Sequence, residues 1–184
     1  MKTAKTTHAA FTIDKTLKAS PAQVFAAFAT KAGKSRWFEG LEGWERQGAS
    51  EFDFRVGGGE YVAERQTGGQ GANPTHVFEA RYLDIVPEQR IVYSYTMMLG
   101  DKRISASLTT IEIKPARLES GGEGTKLTFT EQGAFLDGYD DVASREGGTR
   151  WLLDRMAASV EVFDKGGAGW ASRCCSPIAR EPPT

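Results

Sequence analysis

Only one stretch of this chain carries a long helical period. Between residues 144 and 165, Leu152, Leu153, Met156, Ala157, Val160 and Phe163 recur at three- and four-residue steps, while Arg150, Asp154, Arg155, Glu161 and Asp164 fall mainly on the other side. An amphipathic helix of that length must bury its apolar stripe, and nearly everything before it alternates with the two-residue period of a strand. One helix laid across one sheet satisfies both patterns. The space between the layers then holds either a packed core or a ligand.

The segments before the helix divide at clear punctuation. Phe11, Ile13, Leu17 and Ala19 share one face of a first strand, with Lys15 the exception. Ser20-Pro21 changes the period: serine caps a helix and proline fits its first turn, so residues 22–30 are expected to form a short helix with Val24, Phe25 and Phe28 inward. A second short helix is expected over 35–38. Residues 52–56 and 60–65 read as a hairpin around Gly57, Gly58 and Gly59, because consecutive glycines supply the positive φ of a tight turn. A phosphate cradle would need a helix after those glycines, and a strand follows.

Strands are expected over 75–85, 90–98, 103–114 and 126–132. Ile91, Tyr93, Tyr95 and Met97 share a face, as do Ser105, Ser107, Thr109, Ile111 and Ile113, and as do Leu127, Phe129 and Glu131. The order is strand, two short helices, six strands and a long helix. Short turns between successive strands make the sheet antiparallel, and helices grouped at the two ends of the chain make the class α+β.

At 184 residues and 40% hydrophobic content, the chain suits a single soluble domain over residues 11–165. Residues 1–10 are expected to form a flexible extension and residues 166–184 a flexible tail. Gly166, Gly167 and Gly169 break the helix there, and the adjacent Cys174 and Cys175 read as free thiols, since a bridge between neighbours is strained. The formal net charge of −1 leaves no basic field for nucleic acid. No apolar run approaches the roughly 20 residues of a spanning helix, and the first residues lack the apolar core of a secretion signal. A cytoplasmic protein without membrane insertion is expected.

Order and residues together resemble the SRPBCC, or START-like, superfamily, and within it the family related to the activator of Hsp90 ATPase. The resemblance rests on Ala19-Ser-Pro-Ala-Gln-Val-Phe25, Arg36-Trp-Phe38, Phe54-Arg-Val-Gly-Gly58, Leu83-Asp-Ile-Val-Pro-Glu-Gln-Arg-Ile-Val-Tyr93 and Gly124-Thr-Lys-Leu-Thr-Phe129. It spans about residues 11–165, and the stretches 130–138 and 145–154 look like a distinct bacterial subgroup. It implies the helix-grip (START-like, Bet v 1-like) fold: a curved antiparallel sheet wrapped around the C-terminal helix, with two short helices after the first strand. It also implies a cavity, which in many relatives takes apolar or aromatic small molecules. Some relatives are cyclases or other enzymes. Contact with Hsp90 is not expected, because in the eukaryotic activator it also depends on a separate N-terminal domain, and a short, mostly polar segment precedes Phe11 here.

Glu131 is the first candidate for chemistry, since strand parity aims it at the helix beside Leu127 and Phe129. A buried carboxylate needs a partner or takes a raised pKa, as a general acid or base does. The alternatives are a structural pairing with Arg145, Arg150 or a tyrosine hydroxyl, or an exposed place at the strand end. His76 is the only histidine inside the domain; with Glu79 alone nearby it supplies too few ligands for a metal, and a hydrogen-bonding role in a pocket is open to it.

Trp37, Phe54, Tyr61, Tyr93, Tyr95, Phe129, Trp151, Leu152 and Met156 are the expected apolar and aromatic lining, with Ser107, Thr109 and Glu131 as polar anchors. The same inward face serves a filled core equally well. Gly147 and Gly148 either precede a helix that starts near Thr149, the preferred reading, or let another segment approach at the pocket mouth. There is no cysteine nucleophile in the domain, no Gly-x-Ser-x-Gly elbow, no His-Glu-x-x-His and no dinucleotide or Walker pattern. The expected function is binding of a small hydrophobic or aromatic molecule, with no cofactor and no metal. The alternatives are a cyclase- or hydrolase-like enzyme using Glu131 and His76 in the same cavity, and an Hsp90-type protein-interaction module. A homodimer is compatible with the sequence, but no seam marks one.

Overall fold

The apolar alternation resolves into a single antiparallel sheet. The computed structural model describes residues 3–68 and 73–161. The elements run β1 (Thr6–Leu17), α1 (Pro21–Ala29), α2 (Lys31–Lys34), β2 (Trp44–Arg46), β3 (Glu51–Phe52), β4 (Gly59–Gln66), β5 (Thr75–Val86), β6 (Arg90–Leu99), β7 (Lys102–Arg117), β8 (Glu123–Leu136) and α3 (Val142–Glu161). The strands lie in the order β1-β8-β7-β6-β5-β4-β2, with β3 paired to β4. Each sequence neighbour from β4 to β8 is also a spatial neighbour, as short turns require, and β1 closes the far side by pairing with β8 along its whole length. The sheet is open, and α3 packs on it against β1 and α1. This is the α+β helix-grip arrangement.

Local chemistry explains the helix starts. Ser20 and Gln23 form a capping box at α1: the Gln23 N–H donates to Ser20 Oγ at 3.3 Å, and the Ser20 N–H donates to Gln23 Oε1 at 2.8 Å. Asp141 caps α3 by accepting the Ser144 N–H at 2.9 Å and the Ser144 hydroxyl at 2.8 Å. The Ser144 backbone and side-chain bonds hold the Asp141 carboxyl below its ordinary value. Trp37 is fixed by its indole N–H, which donates to the Ala27 carbonyl at 3.0 Å.

Several boundaries differ from expectation. The first strand begins at Thr6 rather than Phe11, so residues 6–10 belong to the sheet instead of a flexible extension. The second short helix covers Lys31–Lys34, capped by Thr30, and residues 35–38 follow it as a turn. The first arm of the hairpin shrinks to Glu51–Phe52, because residues 53–58 make the turn itself. Trp44–Arg46 adds a strand with no apolar alternation to announce it. The last strand runs on to Leu136, and α3 begins at Val142, placing Gly147 and Gly148 inside the helix. Phe163, Asp164, Lys165, Cys174 and Cys175 lie outside the described residues. No described helix is long and apolar enough to cross a membrane.

The core is concentrated under the C-terminal half of α3. Leu153, Met156 and Val160 are buried in one cluster with Ile13, Leu17, Val24, Ile111, Ile113 and Leu127. The N-terminal half carries no such row, and a Cβ built on Gly147 or Gly148 meets nothing within 4 Å. Neither glycine therefore serves a close approach. Gly147→Ala is expected to stabilise the fold by about 0.5–1 kcal/mol, read as a rise in the chemical-denaturation midpoint, because it restores helix propensity without a clash.

Candidate functional site

Glu131 does point inward, and it is met there by a polar cluster. The parity of β8 puts Leu127, Phe129 and Glu131 on the buried face, and Glu131 is 1% exposed. Its Oε1 accepts from the Tyr95 hydroxyl at 2.6 Å, the Ser107 hydroxyl at 2.8 Å and Arg145 Nη1 at 3.3 Å. Arg145 comes from the first turns of α3 and forks: Nη1 also donates to the Tyr95 oxygen at 2.7 Å, while Nη2 donates to Ser105 Oγ at 2.7 Å and to Asp140. Burial opposes the charge on Arg145, and Tyr95, Glu131 and Asp140 around it outweigh that and raise its pKa. Burial also lifts the Tyr95 phenol above its ordinary value, so it stays protonated and donates. Of the readings open to Glu131, its burial removes the exposed one, and these bonds supply the structural pairing with Arg145 and a tyrosine.

Beside this cluster the helix stands off the sheet over a cavity of about 470 Å³. Arg145, Gly148, Thr149 and Leu152 of α3 form one wall, and Tyr93, Tyr95, Phe78 and Phe129 form the floor. Trp37, Phe38, Leu41 and Trp44, following α2, close a side. Rings pack edge-on around this hollow: Phe38 on Phe78 at 4.9 Å, and Trp44 on His76 at 5.0 Å between centroids. Tyr139 and Trp151 border it as well and are 40% and 47% exposed.

The opposite flank carries a second buried charge pair. Lys34 Nζ lies 3.2 Å from Glu60 Oε1 and over the rings of Phe38 and Trp37, at 4.5 and 5.0 Å from their centroids. Tyr82 donates to the same Glu60 oxygen, and burial with the Glu60 charge pushes its phenol far up. Glu64, four residues along β4 on the same face, lines the cavity and accepts the Gly40 N–H. His76 faces it across the β4–β5 ladder. Burial lowers the His76 imidazole and Asp140 partly offsets this, so the ring is mainly neutral near pH 7.

The structure brings together Trp37, His76, Tyr93, Tyr95, Phe129, Glu131, Trp151 and Leu152 of the expected site residues. Five others lie elsewhere. Phe54 packs on Phe25, Phe52 and Tyr82, away from the hollow. Tyr61 takes the opposite face of β4, because pairing Val62 with Phe78 turns Glu60, Val62 and Glu64 inward. Ser107 and Thr109 are buried in β7 beneath the cavity, Ser107 serving as a donor to Glu131, and Met156 belongs to the packed core. Sequence reasoning missed Lys34, Glu64, Ser105 and Asp140. Inward charge on β4 breaks the apolar-in rule, and Asp140 sits in a turn where periodicity says nothing.

Because Glu131 is desolvated, its partner carries a large energetic consequence. Arg145→Met is expected to cost roughly 3–5 kcal/mol by urea denaturation, since it leaves a buried carboxylate uncompensated. Adding Glu131→Leu should recover part of that loss; a double variant whose cost is the sum of the singles would contradict the coupling.

The sequence signature of the family described as activator of Hsp90 ATPase homolog 1-like protein matches residues 18–161. A crystal structure of a Rhizobium loti protein is 46% identical with a TM-score of 0.72, covering 84% of this chain and 99% of that one. A Rhizobium leguminosarum protein of known structure is 40% identical with a TM-score of 0.76, covering 88% and 99%. The AHSA1-like protein from Aeromonas hydrophila, 18% identical with a TM-score of 0.58 over 88% and 99%, shares the fold. No curated protein matches the chain. With its sequence signature, its strand order and its placement of α3 in agreement, the chain belongs to the activator of Hsp90 ATPase homolog 1-like family of the SRPBCC superfamily.

Proposed function

We propose that this protein binds a small hydrophobic or aromatic molecule between the sheet and the N-terminal half of α3. The observation that carries the reading is the hollow itself: about 470 Å³, within the roughly 300–1,000 Å³ of small-molecule sites. Its walls are mainly aromatic and aliphatic, with polar groups at the Glu131–Arg145 end and on the Lys34–Glu64–His76 side, a composition that can grip an apolar body and orient it. Gly148 in the helix wall supports the same reading: it lowers helix propensity and adds no side chain to the hollow it borders.

The enzymatic alternative gains less from the geometry. Glu131 Oε1 is engaged by three donors, which suits a group fixed in the scaffold better than one free to engage a substrate. Binding is therefore the reading we favour, with Glu131 and Arg145 as the scaffold of the site.

Titration calorimetry with neutral aromatic probes such as naphthylmethanol is expected to show saturable one-to-one binding, accompanied by a thermal upshift that follows mass action. Gly148→Phe, which projects a ring into the hollow from an otherwise intact helix, should weaken that binding by about tenfold or more. Unchanged affinity in the variant would place the ligand elsewhere, and a panel of neutral aromatics that never saturates would end the binding reading.

A further inference from the structure

The charge around the cavity is unbalanced. Its walls hold two cations, Lys34 and Arg145, against three carboxylates, Glu64, Glu131 and Asp140. Both cations are already engaged. Lys34 pairs with Glu60 and sits over the Trp37 and Phe38 rings, and Arg145 is divided between Glu131 and Asp140 while also donating to Tyr95 and Ser105. His76 adds no charge near neutral pH, because burial lowers its pKa.

Glu64 is the carboxylate left over. It is 7% exposed, and among the described residues its bond is to the Gly40 N–H, with no cation in salt-bridge range. Arg46, its neighbour across the β2–β4 ladder, is taken by Glu39 at 2.9 Å. A second acceptor is also unfilled: Glu131 Oε2 is buried and has no hydrogen-bond partner among the described residues. Buried anionic oxygens without compensation are costly, and the cost falls when a cation or a donor arrives. The walls favour the same visitor: the Trp37 and Phe38 rings are taken by Lys34, and Trp44 and Phe78 add aromatic rings of the kind that attract an ammonium. Among the described residues that line the hollow a carboxylate ligand would meet no unpaired cation, the Arg155 guanidinium over the Trp151 ring lying outside that lining, and it would add to the surplus of negative charge.

We propose that the ligand of this cavity is a hydrophobic amine, an apolar or aromatic body carrying a protonated ammonium that lodges against the Glu64 carboxylate. The proposal rests on the binding reading above and adds the charge of the ligand. The aromatic body occupies the floor between Phe78 and Leu152, and the ammonium restores neutrality at the β4 side of the hollow.

The test is calorimetry on the full chain near pH 7 with three probes of one shape: naphthylmethylamine, naphthylmethanol and naphthoate. The amine is expected to bind tighter than the alcohol by about tenfold or more, and naphthoate to bind weakest. Glu64→Gln keeps an oxygen for the Gly40 N–H and removes the charge. It should erase the preference, bringing the amine to within about twofold of the alcohol in the same variant. If the alcohol equals the amine, if naphthoate binds tightest, or if folded Glu64→Gln retains the preference, the charge inference is overturned while the binding reading stands. If no probe binds, both fall. Should Glu64→Gln fail to fold, the ranking of the three probes on the unaltered protein decides.

Discussion

The fork of Arg145 between Glu131 and Asp140 is the contact on which the rest of this arrangement depends. It ties the first turns of α3 to the middle of β8 and to the turn joining them. A guanidinium, two carboxylates and the hydroxyls of Tyr95 and Ser105 cannot compress into apolar packing, so the helix is held at a polar standoff at this end. At the other end Leu153, Met156 and Val160 sit in the dense core. The helix is thus pinned twice by unlike forces, and the hollow lies between the two pins.

That division places the costs of folding unevenly. The apolar end gains from burial and tolerates no loss of volume. The polar end must satisfy several desolvated groups at once, and most of them are satisfied by one another. Lys34, Glu60 and Tyr82 repeat the pattern on the far flank, where aromatic faces help to hold the ammonium. Two buried ionic networks bracket the aromatic hollow, and Glu64, held by the Gly40 N–H, has no cation in salt-bridge range among the described residues.

Much of the fold was legible because period carries burial. Tyr93, Tyr95, Ile111, Leu127 and Phe129 fall on the buried face that alternation assigned them, and Ser20-Pro21 marks the start of α1 as its capping chemistry requires. The errors have specific causes. The start of α3 was hidden by Gly147 and Gly148, whose cost the Asp141 cap and the anchored Arg145 outweigh. Tyr61 was placed inward because it is aromatic, whereas the register with β5 gives that face to Glu60 and Glu64. Glu131 and Arg145 were named as potential partners, yet Asp140 and Ser105, which complete the cluster, come from a turn and from a strand position next to an irregularity at Met97/Met98. Pairing of charges across distant segments is tertiary information, and no local pattern encodes it.

Family membership defines the scaffold, and the side chains of this chain must define the guest. The most direct test of the account is anomalous diffraction from crystals soaked with a brominated naphthalene. The account predicts a bromine peak inside the hollow, between Phe78 and Leu152, with the Arg145 cluster undisturbed. An interior closed by side chains, with no bromine between helix and sheet, would contradict it.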